Sequence, residues 1–195
     1  MIQNLPAGAP ADLFITGALD ERPPVGADYK REGRAIQALA LRMADAPDSV
    51  LPDFVDLALL ITGAFTAGLS LYEPEPAPGV FRWRFVRGAF AAFDGATTPR
   101  HFSPCGITLD QNAPILTLHP ERVYGWIADA GIVAPEVLLV PLYLEGEAPL
   151  GTLWVVSETE GRFTRDHARM LTELAGNVSA AVRLWRSEMG ESSTH

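Results

Sequence analysis

The sequence has a single cysteine, Cys105, among its 195 residues. One thiol forms no disulfide within the chain and supplies no multi-cysteine zinc site. Long apolar runs are lacking as well, since none approaches the ~20 residues that a membrane-spanning helix needs. The first residues lack the positive segment and apolar segment of a secretory signal. We therefore expect a cytoplasmic protein in a reducing compartment.

Positive charge is also scarce. The chain has 15 Lys and Arg against 24 Asp and Glu, which gives a net charge of −9 and a pI near 4.8. An acidic surface repels phosphate backbones and anionic lipids, so neither a nucleic acid nor a membrane is predicted as a partner. The hydrophobic fraction of 48% and the length are typical of one globular domain with a sizeable core.

The first 26 residues are rich in Pro, Ala and Gly and are predicted to form an extended N-terminal arm. Arg22 precedes two prolines, a sequence that disfavours helix continuation. The arm contains one apolar patch, Leu13, Phe14 and Ile15. Two interpretations remain open: a partly ordered tail, or a patch that packs onto the domain or onto a second subunit.

Two helices are predicted next. Asp28 suits the cap of the first, which carries Ile36, Leu39 and Met43 at helical spacing. The second is expected to begin near Asp48 or Ser49, to accept Pro52 in its first turn and to loosen near Gly63.

Alternating side chains then predict two strands, 68–72 and 80–86, joined by a loop rich in proline. In the second strand, the alternation predicts that three aromatic residues point the same way: Phe81, Trp83 and Phe85.

Residues 87–112 are the least regular part of the chain. The segment 97–106 brings together hydroxyls, a guanidinium, an imidazole and the thiol, and such irregular polar segments commonly bind ligands. Ser103 is equally suited to cap a helix of one or two turns over 105–110. A short strand at 114–118 and a short helix at 121–130 follow.

The stretch 137–185 has the most regular pattern. Two apolar runs, 137–144 and 151–157, flank a short turn and predict a β-hairpin. Thr164 and Asp166 suit the start of a long helix. Its apolar residues repeat at spacings of three and four, a heptad-like seam that covers a sheet or pairs with a second subunit: Leu171, Leu174, Val178, Ala181 and Trp185.

This hairpin and helix resemble those of a GAF domain. The matching elements are Val140-Pro141-Leu142, Gly151, the strand 153–156, and the helix that opens with Phe163-Thr164-Arg165-Asp166, and the resemblance covers roughly residues 46–186. The segment 98–106 is further similar to the N-terminal GAF sensor modules of bacterial sensor histidine kinases.

The resemblance implies an α+β, PAS-related fold. We expect a central antiparallel sheet of five or six strands with the N- and C-terminal helices packed on one face and a ligand pocket on the other. The expected organisation is an arm over 1–26, a GAF domain with its flanking helices over 27–187, and a polar tail over 188–195.

The resemblance also implies a regulatory module that senses a small molecule in bacterial signal transduction and has no catalytic output. The alternative is a ligand-free dimerisation scaffold for a partner kinase or response regulator in a two-component system. A homodimer through the terminal helices is expected in either case. The sequence names neither the small molecule nor a cofactor.

Three other ligand chemistries are less favoured. Cys105-Gly106 resembles a step in the free methionine-R-sulfoxide reductases, but that chemistry needs a second cysteine, and 132–135 contains none. Bilin binding is disfavoured because the cysteine-histidine pair and the aspartate-isoleucine-proline segment of photoreceptors are absent. Arg100 and the turn at 103–106 suit a phosphate, yet the asparagine-lysine-x-phenylalanine-aspartate motif of cyclic-nucleotide GAF domains is missing.

A metal site is not predicted. His101, His119, His167 and His195 are scattered, and His101 with Cys105 provides only two ligands of compatible spacing, for iron or zinc.

The predicted ligand site is therefore an aromatic pocket with a few polar groups. Its expected wall is Trp83, Phe85, Phe90, Phe93, Phe102, Tyr124, Trp126, Tyr143 and Trp154. The groups expected to orient a ligand are Thr98, Arg100, His101 and Ser103, and Cys105 lies beside them. Core packing is the alternative for each aromatic residue, above all for Trp83 and Trp154.

Overall fold

A six-stranded antiparallel sheet forms the centre of the computed structural model, which describes residues 12–26, 28–43 and 46–192. The strand order is β3-β2-β1-β6-β5-β4. The strands are β1 Thr66–Glu73, β2 Val80–Gly88, β3 Thr97–Pro99, β4 Ile115–Leu118, β5 Glu136–Leu142 and β6 Gly151–Ser157. The helices are α1 Ala18–Glu21, α2 Tyr29–Arg42, α3 Pro47–Thr62, α4 Pro104–Gln111, α5 Gly125–Asp129 and α6 Arg165–Ser192. The expected α+β architecture is confirmed.

The two faces of the sheet bury two separate apolar clusters. Successive side chains of a strand point to opposite faces, and β6 shows this clearly. Leu153 and Val155 pack against α3 and α6, whereas Trp154 and Val156 belong to the cluster on the other face. The hairpin β5–β6 therefore contributes to both cores, as its almost uninterrupted apolar sequence requires.

The seam of α6 covers the sheet. Leu171, Leu174, Val178 and Ala181 are fully buried among the residues of the helix-side cluster. Burying a leucine or valine side chain stabilises a fold by roughly 1.5–3 kcal/mol, so these positions hold α6 firmly in place. The helix continues to Ser192 and so includes the first part of the predicted polar tail; residues 193–195 lie outside the described part.

The start of α6 is fixed by a short polar motif. The backbone N–H of Thr164 donates to Nδ1 of His167 over 3.1 Å, and Asp166 lies in the first turn. Burial lowers the pKa of His167 below its usual value, and the nearby Arg162 lowers it further, against the opposing charges of Asp166 and Glu136. His167 therefore accepts this bond as a neutral ring.

The N-terminal segment extends the sheet at β4. Phe14 pairs with Thr117, the Ile15 N–H donates to the Leu116 carbonyl over 2.9 Å, and the Leu118 N–H donates to the Leu13 carbonyl over 2.9 Å. Leu13 is buried in the cluster opposite the helices. Of the two interpretations of this patch, packing onto the domain is correct. Residues 1–11 of the predicted arm lie outside the described residues.

A buried ion pair ties the end of this segment to the domain. Arg22 donates from Nη1 and Nη2 to Oε1 and Oε2 of Glu136, at 3.0 and 2.9 Å, and the Glu136 side chain is fully buried. The same carboxylate accepts the backbone N–H groups of Gly161 and Phe163, each at 2.7 Å. Arg22 also donates to the Phe163 carbonyl over 2.6 Å. One carboxylate thus joins the N-terminal segment, β5 and the turn before α6.

Several predicted boundaries are confirmed and others are wrong. Asp28 caps α2 through the Arg31 N–H, and Gly63 ends α3 with a φ of 61°. Helix α3 begins at Pro47, so Pro52 lies beyond its first turn rather than within it. The helix predicted over 121–130 is a 3-10 turn, Pro120–Arg122, followed by the short α5.

The alternation predicted for β2 fails at one point. Ala67 pairs with Arg87 but Leu69 pairs with Arg84, so Phe85 and Val86 together face Gly68 in a β-bulge. Phe85 has a φ of 55°, and its ring lies on the helix side, 5.7 Å from the Trp185 ring. Phe85 therefore does not share a face with Trp83.

Candidate ligand pocket

Helix α4 covers the face of the sheet opposite α3 and α6. It begins where the sequence provides a cap and a first-turn proline: Ser103 Oγ accepts the Gly106 N–H over 3.1 Å, and Pro104 follows directly. Its first two turns are buried. Of the two interpretations of Ser103, the helix cap is therefore correct. Helix α4 packs Cys105 against the sheet.

A small cavity lies between α4, α5 and the sheet, with a volume of about 50 Å³. Its wall consists of Trp83, Phe90, Pro104, Cys105, Pro120, Trp126, Ile127, Ile132, Ala134, Val137, Leu139, Trp154 and Val156. The cavity is not fully enclosed and opens in part to solvent. A typical small-molecule pocket is several times larger, so the side chains nearly fill this one.

Aromatic rings occupy most of the space around Trp83. Its ring centroid is 5.0 Å from that of Trp154, 6.5 Å from that of Trp126 and 6.3 Å from that of Phe93. Trp154 lies over Gly68, where an added methyl group would stand 2.6 Å from Cζ2 of the indole. The missing side chain at Gly68 thus makes room for the indole on β6.

The three indole N–H groups are not presented to the cavity. Trp126 Nε1 donates to the Phe102 carbonyl over 2.8 Å, and Trp154 Nε1 donates to Ser70 Oγ over 3.0 Å. Trp83 Nε1 is itself buried and has no hydrogen-bond acceptor among the described residues. The surface of the cavity is therefore apolar.

The Cys105 thiol is buried, and its pKa is raised. Desolvation raises its pKa, and the neighbouring hydroxyls of Ser70 and Thr152 oppose this only in part. Burial also raises the pKa of the nearby Tyr124, as does the proximity of Cys105. Both groups are neutral at physiological pH, and a neutral thiol is a poor nucleophile and a poor metal ligand.

Arg100 is engaged away from the cavity. Its Nη2 donates to Asp110 Oδ1 over 2.6 Å and its Nη1 to the Gly106 carbonyl over 3.3 Å. The guanidinium also lies over the rings of Tyr72 and Phe81, at 5.5 and 5.8 Å from their centroids. The Arg100 side chain thus anchors α4 to the edge of the sheet.

The structure brings together only part of the predicted site. Trp83, Phe90, Cys105, Trp126 and Trp154 line the cavity. Phe93 and Tyr124 pack around these residues, whereas Phe102 is 42% exposed and its ring contacts that of Tyr124. Thr98 is buried opposite Phe81, and Ser103 is used as a cap. The remaining predicted residues lie elsewhere: Phe85 on the opposite face, Tyr143 and His101 exposed, and Arg100 in its ion pair.

The sequence prediction missed the aliphatic half of the wall. Val137, Leu139 and Val156 follow from the alternation along β5 and β6, which would have placed them beside Trp154. Ile132 and Ala134 belong to a segment without regular structure, and no sequence pattern would have identified them.

The described residues contain neither a metal-binding cluster nor a membrane-spanning helix. No group of three or more His, Cys, Asp or Glu side chains there is arranged to hold a metal ion. In the same part of the chain, every helix is too short or too polar to cross a membrane.

Comparison with known proteins agrees with this geometry. The family model described as GAF domain matches residues 44–183. The GAF domain of a phosphoenolpyruvate-protein phosphotransferase from Coxiella burnetii is 15% identical, with a TM-score of 0.70 over 84% of this chain and 99% of that one. The GAF domain of a two-component sensor histidine kinase from Bacillus halodurans is 18% identical, with a TM-score of 0.57 over 72% of this chain and 96% of that one.

An enzyme has the same fold as well. The free methionine-R-sulfoxide reductase from Neisseria meningitidis is 18% identical, with a TM-score of 0.62 over 86% of this chain and 98% of that one. No curated protein matches the chain. These identities show the fold alone, whereas the family model spans more than half of the sequence. The chain therefore belongs to the GAF domain family, whose members are generally regulatory.

Proposed function

We propose that this GAF domain is a regulatory module of bacterial signal transduction that senses a small molecule in the cavity beneath α4 and α5. The observation that carries the proposal is the position of β6. Trp154 and Val156 line the cavity, while Leu153 and Val155 of the same strand pack against α3 and α6.

This arrangement gives a ligand a direct route to the C-terminal helix. A guest that displaces Trp154 also shifts β6, whose Leu153 and Val155 share an apolar cluster with residues of α6. The neighbouring strand β5 packs directly against α6. Packed cores respond to such shifts by repacking between discrete arrangements rather than by deforming smoothly. A ligand that favours one arrangement of α6 therefore changes the population of signalling states.

The module acts without catalysis of its own. The sequence has one cysteine, so the chain contains no second thiol to resolve a sulfenic acid as a disulfide. Burial raises the pKa of Cys105, which keeps it as the poorly nucleophilic thiol. His101 is exposed and lies outside the cavity wall. These features separate the chain from a reductase of the same fold.

The module works as a cytoplasmic homodimer that regulates a sensor kinase or a response regulator. Leu184 and Met189 on the last turns of α6 are 36% and 55% exposed, which leaves apolar surface near the end of the seam. Light scattering tests this on the wild type and on Met189→Glu. A monomer for both proteins contradicts the dimer.

The sensing proposal is tested with protein purified from its own cells. Native mass spectrometry is expected to detect a retained small molecule, and that compound is expected to raise the melting temperature. The variant Cys105→Ser is expected to retain the compound, because the thiol only forms part of the cavity wall. Bare polypeptide mass, together with no thermal shift across metabolite, nucleotide and haem panels, contradicts the proposal.

The small cavity also favours a second candidate, a dimerisation scaffold without a ligand. Large aromatic side chains already occupy the space that a ligand would fill. In that case the dimer and the partner contact persist unchanged when the cavity is blocked. The variant Ala134→Leu fills the cavity. It is expected to abolish any response to a ligand but to leave the dimer and the partner contact intact.

A further inference from the structure

The chemistry of the cavity wall restricts what it can bind. The cavity surface exposes no polar atom. Two of the three indole N–H groups already donate to Phe102 and Ser70, and the third, on Trp83, is buried below the surface. Arg100, the cation that the sequence suggested for this site, pairs with Asp110 and is not part of the wall.

We infer that the ligand of this pocket is a small neutral apolar molecule, bound by shape and aromatic contact without a hydrogen bond or an ion pair. This inference rests on the proposed sensing function and names the class of molecule sensed. A carboxylate or phosphate would lose its hydration and find no countercharge in the wall. A hydroxyl would lose its hydrogen bonds to water in the same way, at a smaller cost.

The size and shape of the cavity narrow the class further. A volume of about 50 Å³ admits a guest of a few heavy atoms without rearrangement. The indole of Trp83 lies at 76° to that of Trp126 and at 49° to that of Trp154, so a flat ring finds both a face and an edge to contact. A single hydrocarbon ring that extends toward the solvent-exposed side of the cavity meets both conditions.

The test compares guests that differ in one group, using the full chain. Toluene and phenol have nearly the same shape, benzoate adds a charge, and xenon probes the apolar space without rearrangement. Binding is followed in ¹H–¹⁵N spectra through the indole N–H signals. Xenon and toluene are expected to shift the signals of Trp83 and Trp154, and toluene is expected to bind about tenfold more tightly than phenol. No binding is expected for benzoate.

A matched pair of variants locates the effect. Val156→Thr places a hydroxyl on the cavity wall, whereas Val155→Thr places the same hydroxyl among the residues packed on the helices. Both replace a buried valine by an isosteric polar residue, so both lose some stability. Only Val156→Thr is expected to reduce the ratio between the affinities for toluene and for phenol, to about threefold or less.

The outcomes separate the ligand class from the function. Phenol or benzoate binding in this cavity as tightly as toluene overturns the apolar class but leaves a sensing pocket. An equal loss of preference in both valine variants also overturns it, because the cavity wall then does not decide the selectivity. If none of the four guests binds and native protein retains no ligand, both the inference and the proposed function are wrong.

Discussion

The buried pair between Arg22 and Glu136 provides the most direct test of how the N-terminal segment is held. In Glu136→Ala, the N–H groups of Gly161 and Phe163 lose their acceptor and Arg22 loses its partner. An unsatisfied buried donor costs about 1–3 kcal/mol, and breaking a buried ion pair costs about 3–5 kcal/mol. Because these costs overlap, we expect the variant to lose about 4 kcal/mol of unfolding free energy.

Replacement of Arg22 should cost less unfolding free energy than replacement of Glu136. In Arg22→Met, the Glu136 carboxylate keeps its two backbone donors, and Arg22 itself is 17% exposed. We therefore expect a loss of about 2–3 kcal/mol. The control is the pair of Arg165 with Asp20, which joins α6 to α1 at 2.7 Å and has side chains 72% and 64% exposed. Asp20→Asn should cost at most about 1 kcal/mol.

Urea unfolding followed by tryptophan fluorescence measures all three variants, with the unfolding free energy obtained from midpoint and slope. Small domains have about 5–15 kcal/mol of stability, so Arg22→Met should remain folded even if Glu136→Ala does not. A loss for Arg22→Met no larger than that for Asp20→Asn refutes the reasoning. It would mean that burial adds nothing to the pair at Glu136.

Three further predictions concern local features. The pKa of His167 is lowered in the folded state, so only the unfolded state gains a proton as the pH drops below 6.5. The unfolding free energy of the wild type should therefore fall in that range. His167→Gln keeps an acceptor for the Thr164 N–H and should show less of this fall in pH-dependent urea titrations. Gly68→Ala should lower stability by about 1–3 kcal/mol and shift the fluorescence of Trp154, because the added methyl meets its ring; unchanged emission and stability would contradict this packing. Ser103→Ala should cost about 1 kcal/mol in thermal unfolding through loss of the α4 cap, whereas a neutral result would mean that the cap contributes little.

The parts of the fold that sequence reasoning identified are those with local signals. Alternation in β6 and the three-and-four spacing in α6 were sufficient to predict the hairpin and the long helix. Side-chain caps were equally visible, because Asp28 and Ser103 each stand next to the backbone groups that they satisfy. Each of these signals involves residues close together in sequence.

The errors arose where the outcome depends on distant residues. Phe85 and Trp83 lie on opposite faces of the sheet because the register between β2 and β1 shifts at Gly68. The sequence of β2 alone does not predict that shift. Arg100 was a candidate to bind a phosphate, but in the folded chain its guanidinium forms an ion pair with Asp110 of α4. The aromatic wall was predicted in part, yet the degree to which the rings fill the pocket depends on their mutual packing.

The contacts of Leu13, Phe14 and Ile15 have a consequence for how copies of this protein meet one another. An open sheet edge is a template on which another chain can add a strand, and proteins commonly blunt such edges. Here the chain covers the β4 edge with its own residues, while the opposite edge, β3, is three residues long and ends at Pro99. Self-association through strand pairing is thereby discouraged at both ends of the sheet.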